Sequence, residues 1–165
     1  MRSKFLRIAA ITSLFVAGAA MLAIRNGWPG LDGASGLASN SAPQISSASK
    51  THATVTSENS GAAVTLHIDT GWHVYANPPS APYLIPASVT AQRNGHALVI
   101  KPRYPPGEDI GLRINGRTIL VYEDGTRIGL PGLTNLRGVR VLVRVQACDN
   151  KGLCLPPATI TAVAQ

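Results

Sequence analysis

Val139, Val141, Val143, Val145 and Ala147 alternate with Arg140, Leu142, Arg144, Gln146 and Cys148. A period of two places one set of side chains on one face of an extended chain, which a helix cannot do. The stretch predicts a long, half-buried strand. Such a strand buries its apolar face only against other elements, so the rest of the chain must supply them.

Val64, Leu66 and Ile68 repeat the pattern against Thr65, His67 and Asp69. Further strands are expected over residues 85–92, 97–101, 118–123, 126–130 and 158–164. Turn chemistry separates them at Asn94-Gly95, Pro105-Pro106-Gly107, Asn115-Gly116, Asp124-Gly125 and Pro131-Gly132. No segment after Arg25 has a helical period. Seven or eight short strands at this spacing predict an all-β domain, a sandwich or small barrel. It is large enough to bury one core without a disulfide.

The first fifty residues read differently. Residues 1–7 carry Arg2, Lys4 and Arg7, and seventeen uncharged residues follow from Ile8 to Ile24. This pattern is an export signal. Small residues at Ala17, Gly18, Ala19 and Ala20 suit cleavage, whereas retention of residues 1–25 would leave a short membrane anchor. In either case the remainder is expected outside the cytoplasm. Residues 26–50, rich in Gly, Ser, Ala and Asn, are expected to be a flexible linker, and residues 51–165 the folded domain.

The formal charge of +7 has the sign that a nucleic-acid partner requires. Four of the basic residues, Arg2, Lys4, Arg7 and Arg25, belong to the export segment, which leaves eleven basic against eight acidic residues beyond it. That small excess is spread over many strands, with no basic run interleaved with aromatics, so nucleic acid is not an expected partner.

Cys148 and Cys154 are the chain's two cysteines, with Gly152 between them to turn the backbone. An ordinary stabilising disulfide is one reading. A loop of about seven residues, however, gains only roughly 2.4 kcal/mol from cross-linking in the chain-entropy model. A bridge at an exposed turn also leaves its sulfurs within reach of another thiol, as exchange requires. Lys151 would favour a thiolate and Asp149 would oppose it. Spacing alone leaves both readings open.

The run Gln146-Ala147-Cys148-Asp149-Asn150-Lys151-Gly152-Leu153-Cys154-Leu155-Pro156-Pro157 resembles the active-site hairpin of the amino-terminal periplasmic domain of the thiol:disulfide interchange protein DsbD. Gly71-Trp72-His73-Val74-Tyr75 resembles that family's glycine-aromatic strand start. Tyr104-Pro105-Pro106-Gly107 and Val121-Tyr122-Glu123 resemble its central region. The resemblance spans residues 51–165. It implies an immunoglobulin-like β-sandwich whose cysteines relay electrons from a membrane donor to periplasmic thioredoxin-like proteins. It also implies that Cys154 forms the intermolecular bond and Cys148 resolves it.

The family joins this domain to a membrane electron carrier and a thioredoxin-like domain. Neither is in this chain, so a donor acting in trans is expected. The family's cap loop carries aromatic and acidic residues. The matching stretch here, 106–117, has no aromatic, so Ile114 is the expected shield, with Glu108 and Asp109 as the acids.

His73 and Tyr75, two apart, share a strand face, and by the resemblance they lie beside the cysteines as shielding or partner-binding residues. His52, His67, His73 and His96 lack close ligand spacing, and both methionines fall in the export segment, so no metal is expected. Thiol exchange requires no cofactor. The competing expectation is a non-catalytic binding or scaffold domain in which the bridge is a structural clip.

Overall fold

The computed structural model describes residues 45–165. The expected export segment 1–25 and residues 26–44 of the expected linker lie outside them. The regular structure of the described chain is strand apart from one 3-10 turn. After a 3-10 turn at Ser47–Ser49 come β1 (Thr51–Glu58), β2 (Gly61–Ile68), β3 (Trp72–Tyr75), β4 (Ser88–Arg93), β5 (His96–Leu98) and β6 (Glu108–Ile114). Then follow β7 (Arg117–Tyr122), β8 (Arg127–Pro131), β9 (Val139–Val145), β10 (Ala147–Asp149), β11 (Ala158–Thr161) and β12 (Val163–Ala164).

They form three four-stranded sheets, ordered β12-β1-β2-β8, β10-β3-β7-β6 and β11-β9-β4-β5. One core joins all three: Val55, Val64, Leu66 and Ile128 from the first sheet meet Val74, Tyr122 and Ala147 from the second and Val89, Val141, Val143 and Val145 from the third. Leu66 and Val143 are fully buried, and truncating such a leucine to alanine costs about 2–5 kcal/mol. Asn94-Gly95 and Asn115-Gly116 both have positive φ at their two positions. That is the turn whose twist matches a two-residue hairpin, and it joins β4 to β5 and β6 to β7.

Several expectations change. The long strand through residue 148 is interrupted at Gln146. β9 pairs with β4 and β11, whereas β10 pairs with β3 in another sheet. Alternation persists through the break, which is why the sequence shows no seam. Cys148, expected on the polar face, is only 1% exposed, because the second sheet buries its other face too. There Tyr75, Leu84, Ile119, Val121 and Cys148 form a separate apolar cluster.

The strand expected over 97–101 ends at Leu98, that over 85–92 begins only at Ser88, and that over 158–164 divides into β11 and β12. β1 pairs with β2 along its whole length. The end of the expected linker belongs to the fold: Ser47 is fully buried, its hydroxyl donates to the Pro156 carbonyl at 2.9 Å, and its oxygen accepts the Ala147 amide at 2.8 Å. A serine in a Ser/Ala run gives no sign of this, because the contacts are tertiary.

Candidate active site

The hairpin that carries the cysteines is built by Asp149. Its Oδ1 accepts the amides of Lys151 and Leu153, each at 2.9 Å. Its backbone amide donates to Leu153 O at 2.8 Å, and the Gly152 amide donates to Asp149 O at 3.1 Å. Gly152 takes φ 95°, a region an L side chain resists. Asp149 is thus a turn-capping group rather than a charge directed at Cys148. Closing the turn sets Cys148 opposite Cys154 as a bridged pair, and the two sulfurs are joined as a disulfide.

The two sulfurs sit differently. Cys148 lies in the cluster under the sheet, while Cys154 is half-buried at its margin, followed by exposed Pro156 and Pro157. A cleft of about 360 Å³ opens over the bridge, walled by His73, Tyr75, Leu112, Ile114 and the hairpin 148–154.

His73 and Tyr75 come from β3. In the antiparallel pairing of β3 with β10, His73 stands directly opposite Cys148. The Tyr75 hydroxyl is 3.4 Å from Cys148 Sγ and 3.5 Å from Cys154 Sγ. Since disulfide sulfurs carry no hydrogen, the phenol is the donor. Burial, reinforced by Tyr83, pushes the Tyr75 pKa up, so the phenol keeps its proton through neutral pH. His73 is only 1% exposed. Its Nδ1 lies 3.1 Å from Asn150 Oδ1, its ring meets Tyr75 edge-on at 6.1 Å, and its Nε2 is buried without a partner among the described residues.

The stretch expected as a cap loop, 106–117, is strand β6 and its turn into β7, with a bulge between Asp109 and Arg113. Ile114 does pack against the cysteine cluster, but so do Ile110 and Leu112, which were not singled out from the sequence. Their i, i+2, i+4 spacing was the available signal. The acids do not reach the sulfurs: Asp109 is held by Arg113 at 2.8 and 3.1 Å and accepts the Gly111 amide at 2.9 Å. These bonds, Arg113 foremost, hold the Asp109 carboxyl below the usual carboxylate range. Glu108 is exposed and pairs with Val121 across the strands. Gly107, where the hairpin leaves the domain, has no room for a side chain: a Cβ would come within 2.5 Å of Ala76 Cβ and 2.8 Å of Leu120 Cβ.

Away from this site, β1–β2 pairing stacks His52 on His67 at 4.6 Å, a proximity that their separation in sequence conceals. Among the described residues no three His, Cys, Asp or Glu side chains gather as a metal site, and no helix is long and apolar enough to cross a membrane.

The sequence matches no curated protein. Among solved structures it is similar to the crystal structure of the Neisseria meningitidis DsbD N-terminal domain in the reduced form, with 17% identity over 71% of this chain and 86% of that one and a TM-score of 0.50. It is also similar to the complex between the DsbD N-terminal and PilB N-terminal domains from Neisseria meningitidis, at 16% identity, 68% and 80% coverage and a TM-score of 0.48. The N-terminal periplasmic domain of ScsB from Proteus mirabilis follows at 15% identity, 67% and 44% coverage and a TM-score of 0.42. The first likeness is one of fold, the immunoglobulin-like sandwich. The family model described as "Thiol:disulfide interchange protein DsbD, N-terminal" matches residues 42–164, and with its two cysteines bridged at the hairpin the chain belongs to that family.

Proposed function

We propose that this domain works in the periplasm as an electron relay, passing reducing equivalents through Cys148 and Cys154 from a membrane donor acting in trans to thioredoxin-like acceptors. Family membership supports thiol:disulfide interchange as the chemistry. The charged, then apolar, beginning of the sequence supports export. The observation that carries the relay reading is the unequal exposure of one bridged pair beneath a cleft: Cys148 is buried and Cys154 is half-exposed.

In this reading a partner sulfur meets Cys154, because exchange needs the attacking and leaving sulfurs in line with the sulfur attacked and Cys148 is covered on its own side. The Cys154–partner bond forms as the Cys148–Cys154 bond breaks, and the electron pair leaves on Cys148. Run backward, Cys148 attacks Cys154 and releases the partner thiolate. His73, Tyr75 and Ile114 wall the cleft that the partner enters and shield the sulfurs when it is absent.

The test is covalent trapping against a thioredoxin-like protein left with one active-site cysteine, activated as its thionitrobenzoate disulfide and read on non-reducing gels. Cys148→Ser should accumulate the mixed disulfide, since its resolving thiol is gone, and Cys154→Ser should not. Trapping through Cys148 alone, or equally by both, overturns the assigned roles. Absence of trapping by either supports a scaffold domain with a structural clip.

A further inference from the structure

We propose that His73 is the proton acceptor for Cys148: its Nε2 takes the thiol proton as Cys148 attacks Cys154 and returns it when Cys148 is the leaving group. The inference rests on the interchange reading above and adds a proton path to it.

The geometry begins with Asn150. Its Oδ1 only accepts, so the His73 Nδ1 that lies 3.1 Å away carries the hydrogen. This fixes the tautomer and leaves the lone pair on Nε2. With the disulfide closed, Nε2 is buried and has no hydrogen-bond partner among the described residues. A buried polar atom left unpaired needs a reason. The reduced state supplies one, because opening the bridge creates a thiol on Cys148, the residue directly opposite His73 in the β3–β10 pairing. Cross-strand neighbours keep their Cβ atoms about 5 Å apart on one face of the sheet, and both residues line the same cleft.

Other groups around the cleft are poorly placed for this task. Tyr75 touches both sulfurs but is held protonated by burial and Tyr83, so it serves as a donor. Asp149 Oδ1 is occupied by two turn amides. Arg113 is paired with Asp109, and Lys151 is exposed and cationic. Among the described residues that line the cleft, His73 offers an unpartnered lone pair on a buried nitrogen.

The step balances. Before it, Cys148 is a thiol, His73 is neutral and Cys154 is joined to the partner sulfur. As the proton moves to Nε2, Cys148 Sγ bonds to Cys154 Sγ. The Cys154–partner bond breaks, and the partner departs as a thiolate with the electron pair. Cys148 is oxidised, the partner sulfur is reduced, and the imidazolium later releases its proton through the cleft. Only the thiolate is nucleophilic, so removing the proton in place governs the rate when the thiol form dominates.

The experiment isolates this step from any protein partner. The reduced domain is charged with thionitrobenzoate on Cys154 in acid, then jumped to a series of pH values, and release of the coloured thiolate by Cys148 is followed. Near neutral pH, His73→Phe should resolve about 100-fold more slowly than the parent, with the gap closing in alkali as hydroxide ionises Cys148. Asn150→Leu, which keeps the imidazole but frees its tautomer, should be slowed less, about fivefold to tenfold. In the unmodified protein, imidazole nitrogen shifts should report Nδ1–H in the disulfide form and a change at Nε2 on reduction, a reading that needs no variant to fold. His73→Phe within twofold of the parent at every pH, or an Nε2–H tautomer in the disulfide form, overturns the role of His73 alone. A parent domain that releases no thionitrobenzoate overturns the interchange reading along with it.

Discussion

The Tyr75 hydroxyl lies 3.4 Å from Cys148 Sγ, so the buried sulfur of the bridge faces a hydrogen-bond donor. The same hydroxyl is 3.5 Å from Cys154 Sγ. Both contacts follow from one register: β3 lies between β10 and β7, and its alternate residues point into the cysteine cluster.

The first prediction is that Tyr75→Phe shifts the thiol–disulfide equilibrium toward the disulfide. A disulfide sulfur is a weak acceptor, while a thiolate is a strong one, so the phenol stabilises the reduced state most in alkali, where Cys148 is ionised. Losing a donor to a charged acceptor costs about 1.5 kcal/mol or more. In alkaline glutathione or dithiothreitol buffers the equilibrium constant should therefore change about tenfold, and at neutral pH, where Cys148 is a thiol, by less. An unchanged constant would mean that the phenol only fills space.

How much of this was legible beforehand depended on whether a feature was local. The burial of Val141, Val143 and Val145 followed from their alternation, and the Asn-Gly turns from backbone chemistry. The sheet change at Gln146 was hidden, because both strands it separates bury the same alternating set. Cys148 was assigned to the solvent face by a rule that assumes one wet side, and the second apolar cluster breaks that assumption. Strand β6 resembled a loop because its apolar residues, Ile110, Leu112 and Ile114, cover a site rather than a core. His73 and Tyr75 could be placed on one face by their spacing. That Asn150 would hold the His73 ring depends on the fold of a turn seventy-seven residues away.

The second prediction concerns the cap hairpin. Arg113, and then the Gly111 amide, hold the Asp109 carboxyl below its ordinary range. A carboxyl whose folded-state pKa is depressed contributes order that is complete above its unfolded pKa and is lost as pH falls through the folded one. The bulge should therefore stay closed through neutral and mildly acidic pH and loosen only below the usual carboxylate range. Amide exchange at Gly111 should show this, and Asp109→Asn should show the loose state at neutral pH. Because both groups are exposed, global stability should scarcely change. A Gly111 protection factor, taken against the intrinsic exchange rate at each pH, that does not vary with pH in the parent would remove the ion pair from any role in holding the hairpin.

The third prediction separates a redox bridge from a staple. The disulfide closes a sequence separation of six, and the chain-entropy model allows such a short loop only roughly 2.4 kcal/mol. The main core takes no cysteine: it is assembled from residues such as Val64, Leu66, Val141, Val143 and Val145. The hairpin is separately held by the Asp149 turn and by the Leu155 amide donating to Ala147 O at 2.9 Å. Reduction should leave these contacts standing. Urea unfolding of the oxidised and reduced domain should give a stability loss of about 2–3 kcal/mol or less. The denaturant slope should stay nearly constant, because the surface exposed on unfolding barely changes. A domain that unfolds on mild reduction would instead show that the bridge supports the fold, and that the half-exposed Cys154 is the end of a clip rather than a point of exchange.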